Sequence, residues 1–162
     1  MSGGRNRRKE ILLALASAFF ALVFMIHGCG GGGGGGDGAL PGPFQLTFLL
    51  DASFQGPHGD NTIHIAVVRS SDNVVVDGDF GTVSATMNPS FTFVSGAVMD
   101  RGTDYEVHYW IDSNIGGGTL GFCDPKAIDH QWSVEFLSVT NDKVLAASYI
   151  PALTEDVCST FP

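Results

Sequence analysis

The chain has 162 residues, is 44% hydrophobic and carries a formal net charge of −9 at pH 7. That length gives one core and not two once a leader is set aside. The acidic balance excludes nucleic acid as a partner, because phosphate backbones are bound by basic surfaces.

In chain order, Arg5, Arg7, Arg8 and Lys9 form a positive start, with Glu10 beside them. An uncharged apolar run from Ile11 to Ile26 follows. A basic start, an apolar stretch and a small residue at its end make a secretory signal. An uncleaved anchor is the alternative, although the run is shorter than the ~20 residues a bilayer helix needs. Ile26-His27-Gly28-Cys29 ends the segment, and seven glycines, Gly30 to Gly36, come directly after it.

This tetrapeptide resembles the lipobox of bacterial lipoproteins. Ile26 and Gly28 match that pattern, His27 departs from it, and Cys29 stands where the family is lipidated. The resemblance implies that residues 1–28 are a removed signal peptide and that Cys29 carries the acyl chains. It also implies the outer membrane as the address, since Gly30 replaces the Asp that retains such proteins at the inner membrane. Several acyl chains make a durable membrane anchor, where one is marginal. Residues 29–43 then form a glycine-rich tether, with a root-mean-square reach on the order of 20 Å.

Without residues 1–28 the chain carries 16 acidic and four basic groups, Arg69, Arg101, Lys126 and Lys143. Cys123 and Cys158 remain as an even pair in an exported chain, which reads as one disulfide worth about 3 kcal/mol. It would pin the C-terminal tail to the loop before Trp132.

Residues 44–162 are expected to form an all-β antiparallel sandwich of seven or eight strands. Phe44, Leu46, Phe48 and Leu50 alternate with polar residues, as a half-buried strand does. Further strands are expected at Thr62 to Arg69, Val74 to Val76, Phe80 to Thr86 and Phe91 to Val94. Asp77-Gly78-Asp79 is read as a tight reversal within this set, and Asn88-Pro89 as a turn. Tyr105, Val107, Tyr109 and Ile111 share one face of the next strand, and Glu106, His108 and Trp110 the other. Gln131 to Val139 and Lys143 to Tyr149 complete the set, joined by a Thr140-Asn141-Asp142 hairpin turn. The stretch from Phe91 to Val107 resembles one found in transthyretin-like and other Ig-like modules, which implies that fold and no function.

Two groups of residues have donor chemistry for a metal. Asp112, Asn114 and Gly117 are spaced like the opening of a calcium loop, with Asp124 a late substitute for its closing acid. His58, His64, His108 and His130 suit copper or zinc, and His64 and His108 could pair across a sheet. Asp129-His130 could be a base and its orienter, although strand neighbours point to opposite faces. Trp110 and Trp132 could stack on a glycan or peptide if they face outward. No nucleophile elbow or phosphate loop occurs, so the expectation is a non-catalytic envelope protein that binds another envelope protein, a glycan or a cation.

Overall fold

A computed structural model describes residues 42–161. The lipobox, Cys29 and most of the glycine tether lie outside the described residues. Among the described residues seven strands form two sheets. They are β1 (Leu46–Leu50), β2 (Thr62–Arg69), β3 (Val74–Thr82), β4 (Phe91–Val94), β5 (Tyr105–Ile111), β6 (His130–Phe136) and β7 (Lys143–Ala147). One sheet runs β4-β1-β7 and the other β3-β2-β5-β6.

Alternation along β1 and β5 builds the core. Leu46, Phe48 and Leu50 are fully buried, as are Tyr105, Val107 and Ile111, with Tyr109 nearly so. These two faces meet across the sandwich, where the rings of Phe48 and Tyr109 lie 4.9 Å apart. Ile63, Ile65 and Val67 from β2 and Trp132 from β6 fill the same layer.

Three expectations about the strands are corrected. Asp77-Gly78-Asp79 is not a reversal, because β3 runs straight through it and pairs Gly78 with Ala66. A Cβ at position 78 would stand 2.6 Å from the Ile65 carbonyl oxygen, so the glycine permits close approach of two strands. The two aspartates bond to nearby amides, Asp77 to those of Gly78 and Gly96 and Asp79 to that of Phe80.

Nor do β6 and β7 form a hairpin. They lie in different sheets, and β7 runs parallel to β1. The reason lies at the connection. Val139 exchanges backbone hydrogen bonds with Gly102 and Thr103, which carries the chain away from β6. Asp142 then accepts from the Gln45 amide at 2.9 Å, while the Lys143 amide donates to the Gln45 carbonyl at 2.8 Å. The start of β7 is thereby fixed beside the start of β1, and the two run in the same direction. The third correction is that residues 80–86 do not make a separate strand; β3 ends at Thr82.

The expected disulfide is present between Cys123 and Cys158, with Cα atoms 5.3 Å apart. It holds a C-terminal strap on the outer face of the four-stranded sheet. The Val157 amide donates to Gln131 Oε1, Thr160 Oγ1 meets His108 Nδ1, and Phe161 packs edge-on against Trp110. Among the described residues no helix is long and apolar enough to cross a membrane.

Candidate functional site

The sandwich is open along one side. β6 ends one sheet and β7 ends the other, so two strand edges flank the same gap. The chain after β7 crosses this gap through a 3-10 turn at Pro151–Leu153 and returns to β6, where the Glu155 amide donates to the Gln131 carbonyl. Beneath it lies a cleft of about 440 Å³. Trp132, Val134, Leu145, Ile150 and Leu153 give it an apolar lining, and Glu155 is its one charged residue. This is the size and chemistry of a binding pocket, mostly apolar with a few polar groups.

Apolar residues continue outward from the cleft. Leu153 and Ile150 on its roof are 61% and 46% exposed, whereas Val144, opposite Thr47 in the β1–β7 register, lies on the other face of its sheet from Leu145. Exposed apolar side chains at the mouth of an apolar cleft mark a contact surface, whereas scattered ones need no explanation.

Behind the cleft sits an aromatic cluster built from distant parts of the chain. The short helix α1 (Gln55–His58) brings His58 inward, and His58 Nε2 lies 3.0 Å from His130 Nδ1. Phe54, Trp132 and Tyr149 surround the two imidazoles, and Ser113 Oγ approaches His58 Nδ1 at 3.4 Å. Burial, and then the neighbouring His130, push the His58 pKa down to about 4. Burial lowers that of His130 too, opposed by the Asp129 charge. Both rings are therefore neutral at pH 7, one donating a hydrogen bond to the other.

The other histidines are apart from this pair. His64 does not pair with His108. It lies flat between the Trp110 ring at 4.6 Å and the Phe80 ring at 5.6 Å. Burial lowers its pKa, with Asp112 acting the other way. His108 bridges Thr160 and Glu106. Only two of the four imidazoles converge, and among the described residues no group of three or more His, Cys, Asp or Glu stands around one point as a metal ion requires.

The glycine-rich loop between β5 and β6 uses its oxygens internally. Asp129, fully buried, accepts from the amides of Ser113, Asn114 and Asp124 at 2.9–3.1 Å. Asp112 accepts from the Gly121 amide and the Asn114 side chain, and Asp124 from the Thr119 amide. The spacing of Asp112, Asn114 and Asp124 is thus accounted for by carboxylates folding an irregular loop. Asp129 organises it, a buried acid whose role the calcium-like spacing did not reveal.

Both tryptophans are buried rather than presented outward. Trp110 is 1% exposed under Phe161, and Trp132 is 5% exposed with one side on the cleft. Leu145, Ile150, Leu153 and Glu155, which complete the cleft, stood out in no sequence pattern. Only the adjacency of two edge strands makes them a site.

No family model matches the chain, and no curated protein matches it. Among solved structures it is similar to a pilus-presented adhesin, at 9% identity and a TM-score of 0.35, over 67% of this chain and 27% of that one. The chain spans about a quarter of that adhesin's length. So distant a likeness says nothing of function, and the fold assignment stands on the strands and their pairing.

Proposed function

We propose that this chain is a lipid-anchored protein of the cell envelope whose sandwich is a non-catalytic binding module. The anchor is Cys29, held in a sequence resembling a lipobox, and the outer membrane is the expected address. The site is the cleft between β6 and β7. The observation that supports binding most directly is this cleft of about 440 Å³ with an apolar lining and two exposed apolar side chains, Ile150 and Leu153, on its roof. Apolar surface left open to water is costly at roughly 25 cal/mol per Å², and a partner that covers it recovers that free energy.

Two measurements test the reading. Replacing Cys29 with Ser should move the protein from the membrane fraction to the supernatant, and retention in the membrane would refute the lipid assignment. The neutral dye Nile red should brighten on binding the wild-type cleft. Leu153→Asp places a charge on an exposed roof position and should weaken that binding several-fold. Equal dye binding by both proteins would remove the cleft as the site.

A further inference from the structure

The cleft alone does not say what fills it, but the strand edges beside it restrict the answer. Residues along a strand present their backbone groups to alternate sides. The Gln131 carbonyl faces away from β5, since it accepts from Glu155. Ser133 and Glu135, two and four residues on, share that outward edge, and β6 has no strand beyond it among the described residues. An edge of this kind is a template for another strand. Glu155 already occupies its first position.

Side-chain alternation then fixes the chemistry of a strand added there. One face of it would continue the inward row of Trp132 and Val134, over Leu145 and Leu153 in the cleft. The other face would continue the outward row of Ser133 and Glu135, which is exposed and acidic at Glu135. No basic residue lines the cleft. Of the four bases after residue 28, Arg69 is bonded to Asp72, Arg101 lies over Phe44 and Lys143 bonds Asn141, while Lys126 lies in the β5–β6 loop. Directly opposed charges on neighbouring strands are favourable only when opposite in sign.

Building on the cleft as the binding site, we propose that its partner is an extended protein segment that alternates apolar and basic residues and adds as a strand along Ser133–Glu135 of β6. Its amides bond the free edge, its apolar side chains enter the cleft, and its basic side chains, on the opposite face, lie beside Glu135.

The test uses the full chain in detergent and a fluorescently labelled hexapeptide alternating valine and lysine, followed by anisotropy. Controls are a peptide alternating valine and glutamate, and the valine–lysine peptide with N-methylated backbone amides. Glu135→Pro removes one outward N–H without breaking the ladder to β5, as proline is tolerated on edges, and a near-UV circular dichroism spectrum checks the fold. Binding of the valine–lysine peptide should weaken at least tenfold in Glu135→Pro and about fivefold in Glu135→Lys. The two control peptides should bind at least tenfold more weakly. If Nile red binding depends on Leu153 while the peptide binds Glu135→Pro or its N-methylated form equally well, strand addition is wrong and the cleft reading survives. If neither dye nor peptide binds, both fall. Displacement of the dye by neutral oligosaccharides but not by the peptide overturns the proposal in favour of a glycan. Dimerisation of the chain that Glu135→Pro abolishes, with no peptide binding, overturns it in favour of a second copy.

Discussion

At the scale of single residues, buried polar groups carry the most information. His58 is 1% exposed and its nearest ionisable neighbour is another imidazole, with the Tyr149 hydroxyl group's ring beside both and Asp129 acting on His130. Its pKa of about 4 in the fold lies below the unfolded value of 6.5, so the unfolded chain binds more protons between those limits. Stability is therefore full above pH 6.5 and falls as pH drops towards 4, by on the order of 3 kcal/mol from this residue. Urea unfolding at pH 7 and pH 4.5 should show that loss, and His58→Gln should flatten the dependence over this window. Asp51 acts lower on the scale. Hydrogen bonds from Ser148 and Ser53 hold its carboxyl below the ordinary value of 3.8, so its contribution is lost only as pH falls further. The residues bearing these effects were visible in the sequence, but their pairing was not. His58 and His130 are separated by 72 positions, and no local pattern relates residues so far apart. The calcium-like spacing shows the converse. Asp112, Asn114 and Asp124 carry suitable oxygens, yet backbone amides of the same loop reach those carboxylates first.

At the scale of elements, alternation identified the strands and even their faces. Leu46, Phe48 and Leu50, and Tyr105, Val107 and Ile111, are inward because a pleated strand has a period of two. Turn chemistry was less decisive. Asp-Gly-Asp within β3 has the composition of a reversal, but the same glycine serves a strand that passes close to its neighbour. Thr140-Asn141-Asp142 does redirect the chain, yet Asp142 caps β1 rather than closing a hairpin. The C-terminal strap is the element held most economically, by one covalent bond and a few contacts. Changing both Cys123 and Cys158 to Ser should lower unfolding free energy by about 3–4 kcal/mol, since 35 residues separate the two cysteines. If the strap lifts off, Trp110 loses the cover of Phe161 and tryptophan emission should shift to the red. A protein of unchanged stability and emission would show that the strap is fixed by its contacts with Gln131, His108 and Trp110 without the disulfide.

At the scale of the molecule, 16 acidic groups face four basic ones after residue 28. Such an excess repels itself in the compact state and is screened within about 8 Å at physiological salt. Raising sodium chloride from 10 to 300 mM at pH 7.5 should increase the melting temperature by roughly 2–4 °C, as expected for a gain of about 1 kcal/mol. Scanning calorimetry of the Cys29→Ser protein would measure it, and a fall would mean that surface ion pairs outweigh the repulsion. The same salt should weaken binding of the valine–lysine peptide, because the attraction of its lysines to Glu135 is screened too.

The all-β class, the faces of the strands, the likeness of Ile26-His27-Gly28-Cys29 to a lipobox and the pairing of Cys123 with Cys158 were legible in the chain read alone. Those follow from composition, from the two-residue period and from counting, all of which are local or additive. Tertiary structure alone decided that β7 runs parallel to β1, that two imidazoles meet in an aromatic cluster, and that β6 and β7 stand at the same open side over a cleft. Each of these depends on which segments are brought together in space, and that is set by the packing of the two sheets rather than by any stretch of chain read alone.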